Sequence, residues 1–351
     1  MQAAVKSKVW VRFVYDPLYG DHLRGIGHPE SPDRVEVVAS HLQRLGAIGE
    51  TLPARDATDE ELERVHSAAY LELLKRETEG MRGARYLSTG DVVVDARSLA
   101  VARRAAGGAI AALEASVRCG EPVFALVRPP GHHAESARGM GFCLFNNVAV
   151  AARAYQAQRG GRVLVLDFDY HHGNGTQAVA GNGLSYVSTH AYPAYPGTGL
   201  ESYALAGGAV LNVPLPASGV STEAFVAVWE YLAREAAERL RPDAIVVSAG
   251  FDYVAGDPVG DLGVDLGAAF SLAAAIDAVA WEFCGGRVAY VLEGGYDVAA
   301  LTGSIAAVAS AADERFVTAS GAELTSAPSQ VSAALSQISG IFQGSRPRGA
   351  N

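Results

Sequence analysis

The chain has 351 residues, room for two domains or one large one at roughly 100–200 residues each. Hydrophobic residues make up 49% and charged residues 19%, below the roughly 25% charged of an average soluble protein, which fits a thick core and argues against disorder. Lys and Arg number 28 against 38 Asp and Glu, a net charge of −10, which disfavours general nucleic-acid binding because that relies on neutralising phosphates, but not a cationic substrate.

Short apolar runs alternate with longer helix-like stretches. A strand is predicted at Val9–Val14 and a helix at Arg34–Leu45. Thr58 and Glu61 have the spacing of a capping box that opens another helix, and Ser98–Val117 forms a longer one. The strand Val123–Val127 runs into Arg128-Pro-Pro-Gly-His132-His133, and the helix Val148–Gln158 follows. Next, the strand Val163–Phe168 overlaps the run Asp167-Phe-Asp169-Tyr-His171-His172-Gly-Asn174. Strands at Ser185–Ser188 and Val210–Val213 precede a helix at Thr222–Leu240. The strand Ala244–Ser248 ends in Ala-Gly-Phe-Asp252, and the helix Leu266–Phe283 leads to the strand Val288–Leu292, which ends in Glu293-Gly-Gly-Tyr296. A last helix covers Val298–Ala311. After about Ala322 the composition turns to Ser, Gln and Gly, with one helix expected at Gln330–Ile341. We therefore expect a catalytic domain over residues 1–322 and a tail over 323–351.

Several strands are continuously apolar, the pattern of a parallel sheet buried on both faces. Strand-then-helix repetition predicts an α/β fold, one doubly wound, mainly parallel sheet flanked by helices. Ligands bind beyond the carboxyl ends of such strands, where four polar segments fall. Three widely spaced cysteines, Cys119, Cys143 and Cys284, exclude a disulfide framework and fit a reducing compartment. The first residues lack an apolar core with a small-residue cleavage site, and no apolar run reaches the ~20 residues that span a bilayer. A soluble, cytoplasmic protein without a membrane partner is expected.

Alternation along the strand lets Asp167, Asp169 and His171 share one face. A carboxylate and an imidazole two residues apart suit one divalent ion, with a position left open as in catalytic zinc sites. Asp252 alone would read as a cap or turn residue; beside that run it completes a two-carboxylate, one-histidine site. Histidine is the side chain best matched to proton transfer near neutral pH, and Asp167 and Asn174 are natural orienting partners for His132 and His133. The glycines before Tyr296 allow close approach to a ligand, and its hydroxyl can donate to a developing oxyanion.

With these residues in view, the sequence resembles the zinc-dependent histone deacetylase and acetylpolyamine amidohydrolase superfamily. The matching segments are HPESPDR (His28–Arg34), RPPGHH (Arg128–His133), GFCLFNN (Gly141–Asn147), LDFDYHHGNGTQ (Leu166–Gln177), YPGTG (Tyr195–Gly199), SAGFD (Ser248–Asp252), GDPVG (Gly256–Gly260) and LEGGY (Leu292–Tyr296). Asn174, where class I members carry Asp, resembles the class II and bacterial class II-like branch. The resemblance implies one zinc ion on Asp169, His171 and Asp252, the pairs His132–Asp167 and His133–Asn174, and Tyr296 polarising the scissile carbonyl. It also implies a narrow acyl-lysine tunnel walled by Phe142, next to Gly141, and by Tyr195, which stands where most relatives have Phe. Asp91 falls near the rim position that clamps substrate amides, and Arg34 at a position lining an internal channel. A structural potassium would touch Asp167, Asp169 and His171, with Ser188 nearby.

The implied reaction is metal-assisted hydrolysis of acetyl-lysine in a peptide or protein, with His133 as the base. The closest alternative is an acetylpolyamine deacetylase. The polyamine-selective branch carries a glutamate gatekeeper where this chain has Val259. Two further alternatives are a catalytically silent acyl-lysine binder and a dimanganese ureohydrolase, and the ligand set itself suits zinc and iron(II) alike.

Overall fold

The computed structural model describes residues 11–46, 48 and 51–312. The boundary after Ala322 and the helix expected at Gln330–Ile341 lie outside the described residues. In chain order the strands and helices are β1 (Arg12–Val14), α1 (Asp33–Arg44), α2 (Asp59–Glu63), α3 (Ala68–Thr78), β2 (Arg85–Tyr86), β3 (Val93–Val94), α4 (Ser98–Cys119), β4 (Val123–Ala125) and α5 (Asn147–Arg159). They continue with β5 (Val163–Asp167), α6 (Asn174–Ala178), β6 (Leu184–Ala191), β7 (Tyr203–Leu205), β8 (Gly208–Leu215), α7 (Thr222–Leu240), β9 (Ala244–Ala249), α8 (Ala268–Cys284), β10 (Val288–Leu292) and α9 (Val298–Ala311).

Eight strands form one sheet in the order β1–β4–β10–β9–β5–β6–β8–β7. Every pairing in it is parallel except β7 with β8, so the expected doubly wound sheet is present. Its centre is apolar on both faces: each residue of β4, β5, β9 and β10 is buried. Burying a Val or Leu side chain contributes roughly 1.5–3 kcal/mol, which holds these four strands as a rigid platform. Helices α4 and α5 pack together, as do α7, α8, α9 and α1 in succession, so the sheet is covered by two helical groups.

Differences from the sequence reading have local causes. β4 stops at Ala125, and Pro129 and Pro130 beyond it lack the N–H a ladder needs. β6 runs longer than expected because it pairs with β5 on one side and β8 on the other. The expected capping box is formed: Thr58 Oγ1 accepts from the Glu61 N–H and Glu61 Oε2 from the Thr58 N–H. The sequence reading missed α3, the short α6, the β2–β3 hairpin, of which β2 is exposed, and the edge strand β7. Two of the three residues of β7 are exposed, so it lacks the apolar signal of a buried strand.

The register places the carboxyl ends of β4, β10, β9 and β5 side by side. Those four ends carry the segments that hold the two histidines, Tyr296, Asp252 and the Asp/His run.

Candidate active site

Beyond β5 and β9, one ligand atom each from Asp169, His171 and Asp252 lies within 4.8 Å of the others, and all three residues are buried. His171 Nδ1 is 3.2 Å from Asp169 Oδ1 and 2.9 Å from Asp252 Oδ2. Asp169 is fixed by backbone donors, the N–H of His171 at 2.8 Å and that of Gly294 at 2.8 Å. Asp252 Oδ1 accepts from the Tyr170 N–H at 3.0 Å, while its buried Oδ2 meets His171 Nδ1 at 2.9 Å outside hydrogen-bond geometry. A Cβ added to Gly294 would lie 2.5 Å from Asp252 Oδ2 and 2.7 Å from Asp169 Oδ2, so glycine there keeps the cradle open. Burial alone would lower the pKa of His171, but the two carboxylates outweigh it and push it up to about 10. The same field favours a cation. Two adjacent buried carboxylates, an imidazole and an open cradle fit a divalent ion.

Asp167, at the end of β5, is separate from this trio. Its Oδ2 receives His132 Nδ1 at 3.1 Å and the Tyr186 hydroxyl at 2.9 Å. Burial opposes a charge on His132, yet Asp169 and Asp167 overcome it and raise its pKa to about 10 in the metal-free protein. His133 is the opposite case. Burial, then the neighbouring His132 and His171, hold it well below the usual imidazole range, and its Nδ1 lies 2.9 Å from Asn174 Oδ1. Their centroids lie 4.0 Å apart with the ring planes tilted by 47°, and their pKa values move in opposite directions because their partners differ.

Tyr296 follows β10. Its N–H donates to Asp257 Oδ2 at 2.6 Å, and Asp257 Oδ1 accepts from the N–H groups of Val259 and Gly260. Arg34 lies over its ring at 4.8 Å and donates to the carbonyls of Gly295 at 2.6 Å and Glu293 at 2.5 Å. Burial, only partly opposed by Arg34, raises the phenol pKa well above the usual tyrosine range, so the hydroxyl keeps its proton.

Phe142 packs edge-on against Tyr296 at 5.7 Å and His28 at 4.7 Å, with a φ of +67° that non-glycine residues adopt rarely. Tyr195 stands edge-on to His133 at 5.1 Å and donates its hydroxyl to Asp91 Oδ2 at 2.9 Å. Asp91 Oδ1 accepts from the Gly141 N–H at 2.9 Å. One exposed carboxylate thus ties Gly141 to Tyr195. A Cβ on Gly141 would come within 2.3 Å of His133. Ser188 is buried on β6 in register with Asp167, and its hydroxyl is 2.9 Å from His190 Nδ1.

Residues 28–312 match the model of the histone deacetylase domain. The chain belongs to the histone deacetylase family. It is 37% identical over 294 residues to histone deacetylase 15 of Arabidopsis thaliana, covering 80% of this chain and 52% of that protein. It thus spans about half the length of that relative. It is 39% identical over 285 residues to the histone deacetylase-like amidohydrolase of Pseudomonas aeruginosa, covering 78% of this chain and 73% of the relative. The crystal structure of the HDA15 HD domain superposes with a TM-score of 0.81 at 30% identity, covering 97% of this chain and 96% of that one.

Several charged residues of this histone deacetylase-family site were assigned no role in the sequence reading although they stand inside the quoted motifs. Glu293 Oε2 accepts from the N–H groups of Gly131 at 2.6 Å and His132 at 3.0 Å; burial pushes its pKa up to about 7 against the pull of His132. Glu30 Oε1 takes Arg128 Nε at 2.6 Å and Arg34 Nη1 at 3.1 Å. Asp257 positions the Tyr296 loop, as described above. Their contacts with Gly131, His132, Arg128 and Tyr296 span 39 to 162 residues of chain, so local sequence offers little signal for them.

Proposed function

We propose that this chain is a zinc-dependent amidohydrolase that removes acetyl or longer acyl groups from the ε-amine of lysine in peptides or proteins. What carries the reading is one cluster at four adjacent strand ends: three convergent metal-ligand side chains, two histidines with oppositely shifted pKa values, and a protonated phenol. Family membership supports a deacetylase. The lysine substrate rests on the apolar Val259 and on the aromatic pair Phe142 and Tyr195.

Asp169, His171 and Asp252 would hold a zinc ion, which when bound would supply Lewis acidity toward the scissile carbonyl and a water. The chain's own groups do the rest. His133, neutral and facing Asn174 through Nδ1, takes the water's proton at Nε2 and returns it to the leaving amine. His132, held against Asp167, contributes electrostatically beside the developing negative charge. Tyr296 donates to the oxyanion. Phe142 and Tyr195 wall the acyl-lysine stem, with Gly141, Asp91 and Val259 toward the mouth. A structural potassium beside Asp167, Asp169, His171 and Ser188, and a channel past Arg34, belong to the same reading. So does a cytoplasmic location; among the described residues no helix is long and apolar enough to cross a membrane.

Acetate release from an acetyl-lysine peptide and from N-acetylspermidine tests the substrate class. The expected result is a kcat/KM at least about tenfold higher for the peptide, a difference of about 1.4 kcal/mol in transition-state binding. Faster turnover of the polyamine would move the substrate to the acetylated amine. A zinc-bound protein inert toward both would replace the enzyme with a binder.

A further inference from the structure

We propose that Glu135 is a positioning residue that sets the tautomer of His133 by orienting the side-chain amide of Asn174. The inference rests on the reading above, in which His133 is the base.

A base at Nε2 requires the proton of the neutral ring to sit on Nδ1, which in turn requires an acceptor opposite Nδ1. Asn174 can present either face of its amide. With Oδ1 toward His133 it demands Nδ1–H; turned over, it would donate to Nδ1 and drive the proton to Nε2, where the ring could no longer accept. Some neighbour must choose between these two orientations.

Glu135 makes that choice. Asn174 Nδ2 donates to Glu135 Oε1 at 2.8 Å, while Asn174 Oδ1 faces His133 Nδ1 at 2.9 Å. An ionised carboxylate accepts and cannot donate, so it admits only the NH2 end of the amide. Two weaker acceptors flank the same nitrogen, the His133 carbonyl at 3.5 Å and Met140 Sδ at 3.3 Å, and they bound the effect of losing Glu135 without replacing it. In this way a carboxylate acts one residue removed from the ring. It fixes orientation without the direct contact to the ring that Asp167 makes with His132.

The Glu135 backbone is anchored independently of its side chain. Its N–H donates to the Arg138 carbonyl at 2.9 Å, and its own carbonyl lies 2.9 Å from His66 Nδ1. His66 Nε2 accepts from the Asn146 N–H at 2.9 Å, which makes Nδ1 the donor. The loop therefore stays in place when the side chain changes. The Glu135 side chain is itself part-exposed and lies 3.6 Å from Arg138, which leaves room for a neutral replacement.

The test compares the metal-loaded wild type with Glu135→Met and Glu135→Gln. Ring 15N NMR of histidine-labelled protein, with the His133 signal assigned from a His133→Ala spectrum, reads the tautomer directly. Glu135→Met should show a mixed Nδ1–H and Nε2–H population at His133 and a kcat lowered about tenfold at unchanged KM, part of the 10²–10⁴ a positioned base contributes. Glu135→Gln, whose carbonyl still accepts from Asn174, should keep the wild-type tautomer and stay within about threefold of the wild-type kcat. A Glu135→Met protein with wild-type tautomer overturns the inference, whatever its rate. Equal losses in both variants with an unchanged His133 signal would assign Glu135 a purely structural role. If the wild type hydrolyses no acyl amide, the functional reading fails, while the NMR result still decides what orients His133.

Discussion

Tyr296→Phe should lower kcat about 10²–10³-fold, about 2.7–4 kcal/mol of transition-state stabilisation, while leaving KM, metal content and melting temperature close to wild type. The substitution removes one oxygen and nothing that holds the ring. Arg34 still lies over the ring at 4.8 Å, Phe142 still packs edge-on at 5.7 Å, and Asp257 still binds the backbone N–H at 2.6 Å. Because burial holds the phenol pKa far above neutrality, the wild-type hydroxyl is a donor throughout the working pH range. A donor aimed at the developing oxyanion acts in the transition state more than in the bound substrate, so its loss falls on kcat rather than KM. Steady-state kinetics with metal analysis and a thermal melt separates these quantities. Near-wild-type turnover would remove Tyr296 from the chemistry.

Asp252→Asn should cost more than about 10² in zinc affinity, and activity with it, since even partners behind the ligands typically account for 10–100-fold. The amide is nearly isosteric but removes one of the two carboxylate charges that neutralise a divalent ion. Stability should move the other way. Burial and the adjacent Asp169 push the Asp252 carboxyl up to about 6, so in metal-free protein near pH 7 its charge opposes folding. The metal-free variant should melt no lower than metal-free wild type, yet gain little when zinc is added. Isothermal titration with zinc and melts in both states check the pair of expectations. A variant that binds zinc like wild type would take Asp252 out of the ligand set.

The strand ends were legible because burial makes them so. Apolar runs such as Val163–Leu166 and Ala244–Val247 stop abruptly at charged or glycine-rich turns, and parallel sheets collect such ends on one edge. Asp169, His171 and Asp252 therefore stood out before any coordinates, as did the His132–His133 pair. Asp167 was legible as the partner of His132, and its carboxylate takes His132 at 3.1 Å; the Tyr186 hydroxyl it also accepts was not foreseen. Glu293 and Glu135 carried no signal, because the groups they orient lie far away along the chain. Of the elements missed, β2 and β7 are largely exposed and carry little apolar pattern, α6 is a single short turn at the site, and α3 buries Tyr70, Leu71 and Leu74 within an otherwise charged stretch. The length, open at first to two domains, is accounted for over residues 11–312 by one sheet whose central strands build one site.

Metal stoichiometry against acetate release tests the central claim most directly. Metal-free protein titrated with zinc, using an acetyl-lysine peptide as substrate, should gain activity linearly and level off at one equivalent, the capacity of a single Asp169–His171–Asp252 site. Full acetate release without metal, or a plateau only at two equivalents, would contradict it.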